Sequence, residues 1–280
     1  MATARPAQKR PKLGQNFLVD TGAAARIVEA LGNVSSKVVI EIGPGRGVLT
    51  EPLSRRAGHL IAIELDRVMA AQLRMQYARH ETVEIIEADV LKVQFDTILG
   101  PRPGMLTGIA SPRIEAARVV GNIPYYITSD LLLHLFDYHT WFDSLVIMTQ
   151  LEVADRVAAT PGTRDYGLLS ATAQLYAHVE KLFTLPPGAF APAPKVHSAV
   201  LRFTMQPRWE QLRIEPAPFI EFLKLCFGQK RKTLANNLRT KYDQKTVLAA
   251  LAAAKVEPSA RAEAITLEKS AAVFRAFSNQ

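Results

Sequence analysis

Among 280 residues there is one cysteine, Cys226, inside the apolar run Phe222 to Phe227. A single thiol excludes a disulfide framework and a cysteine zinc site. In that run it is expected to be a small buried apolar residue. The six histidines (His59, His80, His134, His139, His178 and His197) show no ligand-like spacing on one helix face, so no metal is expected. No apolar run is long enough to span a bilayer, and the N-terminus lacks a hydrophobic signal core. The expectation is a cytoplasmic protein with no membrane partner. Residues 1–12 carry Arg5, Lys9, Arg10 and Lys12, two prolines and no acid, and read as a flexible basic tail, with a short organellar leader as the alternative.

What is present is a hydrophobic content of 48%, enough for a real core, and a formal net charge of +8. The charge favours a polyanionic partner, either nucleic acid or an acidic membrane surface. From about residue 22 helix and strand patterns alternate. Val38–Ile42, Leu60–Ile63, Val83–Ile86, Ala117–Val120 and Leu145–Met148 read as strands, with helical patterns between them. This is the βαβ order of a doubly wound sheet. Ser198 to Phe203 alternates as a further strand, and a strand pair there would give the sheet an antiparallel edge. Gly100, Pro101, Pro103, Gly104, Gly108 and Pro112 make the segment from Leu99 to Arg113 a loop or insertion. Past Gln206 only helical patterns remain. The expected division is a tail over 1–12, an α/β domain over 13–206 and a helical domain over 207–280.

Glu41-Ile42-Gly43-Pro44-Gly45-Arg46-Gly47 is a strand running into a glycine loop. The glycines permit a sharp turn and close approach of a ligand. Val48 stands where a dinucleotide fingerprint needs its third glycine, and Pro44 removes a donor that a pyrophosphate would use. Glu64 ends the next strand, about 20 residues on, where a carboxylate can accept from ribose hydroxyls. Asp89 follows the third strand and can accept from an adenine amine. A nucleoside ligand without phosphates fits these features, and S-adenosylmethionine is such a ligand.

Gly121-Asn122-Ile123-Pro124-Tyr125-Tyr126 sits at the C-terminal end of a strand, the edge where open α/β sheets bind ligands. The Asn122 oxygen and the backbone carbonyl of Ile123 or Pro124 can accept from an exocyclic amine. Tyr125 can stack on a base, and Phe190 is a candidate for the opposite face, against the alternative of a core aromatic under a Pro-rich loop. Between Lys224 and Lys241 lie six basic residues and no acid, including Lys230, Arg231 and Lys232. This is either a phosphate-binding patch or a solvated face. Lys195 is a further candidate phosphate contact.

Gly14 to Leu18, Glu41 to Gly47, Glu64-Leu65-Asp66, Glu87 to Val90, Gly121 to Tyr125, Phe190 to Val196 and Phe227 to Lys232 stand in one order along the chain. In this the chain resembles the ribosomal RNA adenine N6-dimethyltransferases, the bacterial small-subunit (16S) enzyme in particular. The resemblance implies a Rossmann-like class I methyltransferase sheet with a smaller C-terminal all-helical domain. It implies dimethylation of N6 on two adjacent adenosines near the 3′ end of small-subunit rRNA, with S-adenosylmethionine as cofactor. It further implies that Gln15, Asn16 and Leu18 close over the cofactor, which Gly43, Gly45, Glu64, Asp89, Val90 and Asn122 contact. The expected partner is small-subunit rRNA within a pre-assembled subunit, and a monomer is expected. The 99–113 segment looks longer than the family's usual connection. Two alternatives stay open: a large-subunit rRNA adenine methyltransferase of the antibiotic-resistance type, and a non-catalytic assembly or transcription factor of the same fold.

Overall fold

The computed structural model describes residues 16–100 and 116–278. The expectations for the basic tail, for Gln15 and for most of the 99–113 loop lie outside the described residues.

Among the described residues nine strands form: β1 Phe17–Leu18, β2 Val38–Ile42, β3 His59–Glu64, β4 Val83–Glu87, β5 Ala117–Asn122, β6 Phe142–Gln150, β7 Ala177–Leu185, β8 Phe190–Ala191 and β9 Ser198–Met205. Seven of them make one sheet in the order β4-β3-β2-β5-β6-β9-β7. The pairs β3–β4, β2–β3, β2–β5 and β5–β6 are parallel, while β9 runs antiparallel to both β6 and β7. This is the expected Rossmann-like sheet with an antiparallel edge. From β2 the chain winds outward through β3 and β4, then returns to β5 on the other side. The switch point therefore lies between the C-terminal ends of β2 and β5, where a crevice must open.

The helices are α1 Thr21–Ala30, α2 Thr50–Ser54, α3 Arg67–Gln76, α4 Phe95–Leu99, α5 Thr128–Asp137, α6 Leu151–Val157 and α7 Leu168–Tyr176. Then come α8 Trp209–Leu212, α9 Pro216–Cys226, α10 Leu234–Leu238, α11 Gln244–Ala253 and α12 Leu267–Ser278. Several start where the sequence supplies an acceptor or a fixed φ. Asp20 caps α1, Asp66 caps α3 and Asp243 caps α11, and Pro216 opens α9.

Side chains alternate across the strands and so divide the core in two. Ile40, Ile42, Val119, Ile147 and Leu201 face one side, with α5, α7 and the C-terminal helices. Val39, Val120, Val146, Met148 and Val200 face the other, with α1 and α2. The first core continues without a break into Phe219, Leu223, Leu251 and Val273. Residues 207–278 thus change element type but share the sheet's apolar core. Gln206 N and Arg208 N donate to the carbonyls of Tyr176 and Leu175, and Trp209 packs edge-on against His139 and Tyr176.

The outer partner of β9 is the edge strand β7, which no turn residue announces. Tyr176 ends α7 and Ala177 is already extended at φ −148°. Cys226 is buried at the end of α9, and burial pushes its thiol pKa upward, as expected of an inert core residue.

Candidate active site

Four strand ends converge at the switch point. The cleft there is lined by Gly43 and Gly45 after β2, Glu64 at the end of β3, Asp89 and Val90 after β4, and Asn122 and Pro124 after β5. Asn16 covers it from the N-terminal side. The sequence expectations for these eight positions are thereby brought together in one place.

Glu64 is 4% exposed, and both its carboxylate oxygens are oriented by backbone donors. Gly45 N donates to Oε2 at 3.0 Å, and Asp66 N donates to Oε1 at 2.8 Å. Each oxygen keeps a further lone pair, so the group can still accept from two hydroxyls. Asp89 accepts from Leu91 N at 3.1 Å, which fixes its carboxylate at the start of the turn containing Val90.

Asn122 closes the site at the end of β5. Its Nδ2 donates to the Asn16 carbonyl at 3.0 Å. That bond assigns the amide's orientation, because the carbonyl can only accept, and it leaves Oδ1 as an acceptor directed elsewhere. Ile123 N donates to Met148 O, and the Pro124 carbonyl accepts from Ile127 N. The Pro124 carbonyl is thus engaged once within its own turn. Gly121 is required here: a Cβ would stand 2.7 Å from the Ile42 carbonyl oxygen and hold β5 away from β2. Tyr125 opens a short 3-10 turn, Tyr125–Ile127, directly after Pro124.

Two expected residues stand elsewhere. Leu18 and Phe190 pair across β1 and β8, are 5% and 4% exposed, and pack into the α1-side core with Leu185 and Val200. Neither lines the cleft. Their role is to clasp the N-terminal segment to the Pro-rich loop, a clasp extended by Val19 N donating to the Ala189 carbonyl. For Phe190 this is the core-aromatic alternative, and stacking on a base would require the β1–β8 pair to open.

Phe17, Leu65 and Tyr126 also line the cleft, and sequence reasoning assigned them no role there. Phe17 lies across Gly45: a Cβ at Gly45, which also sits at φ +55°, would approach the Phe17 ring to 2.9 Å. The Arg46 guanidinium covers that ring at 4.8 Å. Leu65 and Tyr126 are 52% and 64% exposed and offer apolar surface at the mouth of the cleft. The available signal was their adjacency to Glu64 and Tyr125.

Behind the glycine loop, Glu41 is 1% exposed and its pKa is pushed up to about 8, first by burial. The nearby Thr50 hydroxyl pulls it down and the Glu64 charge raises it further. Neither Glu41 Oε2 nor Thr50 Oγ1 has a partner in hydrogen-bond geometry.

Away from the cleft, Lys230, Arg231 and Lys232 are exposed in the turn after α9. None of them forms an ion pair among the described residues, whereas Lys224 is paired with Glu221 at 2.7 Å. The turn is pinned by Asn237, 3% exposed, whose Nδ2 donates to the carbonyls of Cys226 and Gln229. Lys195 is exposed in the Pro-rich loop. Among the described residues no group of His, Cys, Asp or Glu could hold a metal ion, and no helix is long and apolar enough to cross a membrane.

A mixed sheet of this order, with strand-end acids and the Asn122 turn gathered at its switch point, is that of a Rossmann-like methyltransferase. The family model for ribosomal RNA adenine dimethylase matches residues 7–279, and the chain belongs to that family. It is 57% identical over 271 residues to the ribosomal RNA small subunit methyltransferase A of Koribacter versatilis, covering 97% of this chain and 95% of that protein. The protein of the same name from Acidobacterium capsulatum is 54% identical over 267 residues, with 95% and 90% covered. Among solved structures, the 23S rRNA methyltransferase ErmE superposes with a TM-score of 0.69 at 28% identity, covering 94% of this chain and all (100%) of that one. A dimethyladenosine transferase from Plasmodium falciparum gives a TM-score of 0.77 at 24% identity, covering 94% and 98%, and so supports the fold.

Proposed function

We propose that this chain transfers methyl groups from S-adenosylmethionine to N6 of two adjacent adenosines near the 3′ end of small-subunit rRNA, as a cytoplasmic monomer acting on a pre-assembled subunit. The observation that carries the reading is the Asn122 side chain at the cleft, whose Nδ2 is held by the Asn16 carbonyl so that Oδ1 is the amide atom left to accept. Two relatives, 57% and 54% identical over the aligned residues, bear the small-subunit name.

The residues fit the cofactor. Glu64 would hold the ribose hydroxyls, Asp89 the adenine amine, with Val90 and Leu65 against the ring. Gly43, Gly45 and Asn16 would enclose the remainder. When bound, the cofactor supplies an activated methyl on a sulfonium.

The protein's own task is to prepare the nucleophile. An adenine amine is weakly nucleophilic because its lone pair is delocalised into the ring. Asn122 Oδ1 and the Ile123 carbonyl would accept its two N–H bonds, favour a pyramidal nitrogen and free the lone pair. Acceptors held in place before reaction stabilise the charge that develops as the bond forms. The amine becomes acidic once methylated, so no strong general base is needed. Tyr125 would stack on the extruded base, returning roughly 1–3 kcal/mol against an extrusion cost of a few kcal/mol. Lys195, Lys230, Arg231 and Lys232 would hold phosphates and set the register of the RNA.

The test is methyl transfer from labelled cofactor to unmethylated small subunits, large subunits and naked rRNA in parallel. Label confined to small subunits is expected. Label confined to large subunits would select the 23S activity that ErmE carries in its name, and binding without transfer would select an assembly factor.

A further inference from the structure

The turn that carries Asn122, Ile123, Pro124 and Tyr125 is held at both ends by neighbouring residues of β6. At its start, Ile123 N donates to the Met148 carbonyl at 3.0 Å, beside the register pair Asn122–Met148. At its far end, the hydroxyls of Thr128 and Thr149 lie 3.0 Å apart, and either can donate to the other. Residues 124–127 span the gap, with Ile127 N donating to the Pro124 carbonyl at 3.1 Å inside it.

Both threonines are buried, Thr128 at 1% and Thr149 at 0% exposure, and neither lines the cleft. Strand alternation puts Thr149 on the face of Ile147, the side that α5 covers, and Thr128 is the first residue of α5. This helix start is not held by local capping. Its N-cap position is Ile127, which has no side-chain oxygen, and no side-chain cap bond forms there. In contrast, α1, α3 and α11 start on capping aspartates. The tie on the first residue of α5 comes from the sheet, 21 positions away in sequence.

A buried hydroxyl is costly unless paired, and two apolar groups would fill the same space without that cost. What the hydroxyl pair adds is geometry. It sets a separation of about 3 Å along a preferred line, whereas an apolar contact tolerates sliding.

We propose that the Thr128–Thr149 pair sets the height of the Asn122–Tyr125 turn over the cleft, and through it the approach of the substrate amine to the methyl donor. Both are positioning residues. They act through the turn and touch neither base nor cofactor. The proposal rests on the reading of the cleft as a methyl-transfer site. Transfer is sensitive to such a displacement, because a misplacement of about 1 Å costs on the order of 100-fold in rate.

The experiment uses the full chain with Thr128→Val, Thr149→Val, the two together, and Thr128→Ser. Valine keeps the branched shape without the hydroxyl, and serine keeps the hydroxyl. Single-turnover methyl transfer to unmethylated small subunits is measured beside S-adenosylhomocysteine affinity. Amide exchange of the peptide over residues 121–128 is followed in the protein without ligand. Each valine variant is expected to transfer about tenfold more slowly, the rate equivalent of one net hydrogen bond. Cofactor affinity should be unchanged. Exchange over 121–128 should rise while that of β2 and β3 stays as it is. Thr128→Ser should transfer at the wild-type rate.

The double variant separates position from stability. One valine leaves the other hydroxyl buried and unpaired, whereas two valines face each other. Thermal stability is therefore expected to fall in each single variant and to recover in the double, while transfer by the double stays as slow as in either single. Where a single variant does not fold, the double carries the test. A double variant at the wild-type rate would make the pair a packing contact and overturn the proposal. Single variants at the wild-type rate, or a loss explained by weaker cofactor binding, would overturn it too. If the wild type methylates no subunit and the valine variants still loosen residues 121–128, the tie stands and the methyl-transfer reading fails.

Discussion

Asn122 and Asn16 are 106 positions apart in sequence and joined by one 3.0 Å hydrogen bond, from the Asn122 amide nitrogen to the Asn16 backbone carbonyl. The bond has two consequences. It ties the N-terminal segment to the end of β5, and it leaves Oδ1 as the amide atom of Asn122 that can still accept.

Asn122→Ala is expected to lower single-turnover methyl transfer by about 100-fold or more, the scale of losing one preorganised polar group at a reacting centre. Affinity for the RNA should change little. Rapid-quench kinetics at saturating cofactor, beside an RNA-binding isotherm, check this. Wild-type turnover in a folded Asn122→Ala protein would remove the side chain from the mechanism.

Glu64→Ala removes the proposed ribose acceptor and also deprives Gly45 N and Asp66 N of their partner. Cofactor affinity should fall at least about tenfold, and stability by about 1–3 kcal/mol, the cost of leaving buried donors unsatisfied. Calorimetry and chemical denaturation measure the two separately. RNA affinity is expected to be retained, and unchanged cofactor affinity would refute the assignment.

Gly45 and Phe17 should be coupled. Gly45→Ala introduces a Cβ at φ +55° and drives it into the Phe17 ring. A cofactor-affinity loss in Gly45→Ala should be partly relieved by adding Phe17→Ala, because the ring clash disappears while the backbone strain remains. A double-mutant cycle with a coupling energy of about 0.5–3 kcal/mol is expected for residues that touch. Strict additivity would mean that the ring does not rest on the loop in solution.

Replacing Lys230, Arg231 and Lys232 together with Ala should weaken subunit binding and flatten its salt dependence. Every phosphate left without its cation lowers the steepness of log K against log salt by roughly 0.7–0.9, because fewer counterions are released on binding. Cofactor affinity should be unaffected, since none of the three lines the cleft. A salt titration with an unchanged slope would show the patch to be a solvated face. In contrast, Asn237→Ala should release the turn that carries these charges, weakening RNA binding with no change in net charge.

The parallel strands, strand β9 and most helices of the α/β part were legible because their signal is local, whereas the short pair β1 and β8 was not. Val38–Ile42 is a β-branched run ended by glycine, and the structure keeps those bounds. The strand-end acids and the Asn122 turn were legible for a related reason: in a parallel sheet every strand end feeds the same edge. Strand β7 was not legible, because α7 passes into it without Gly, Pro or a polar cluster to mark the change.

Sequence alone therefore determined the class of the sheet, the edge that carries the site and the residue types gathered there, since periodicity and chain direction follow from neighbouring residues. Only the tertiary structure decided which side chains reach the cleft. Phe17 covers Gly45, while Leu18, one residue on, turns into the core beside Phe190, because the β1–β8 pair alternates its faces. It likewise decided the environment of Glu41, an acid in an ordinary strand sequence. What surrounds that carboxyl is set by β3, α2 and the end of α3, which no local pattern reports, and burial among them is what raises its pKa.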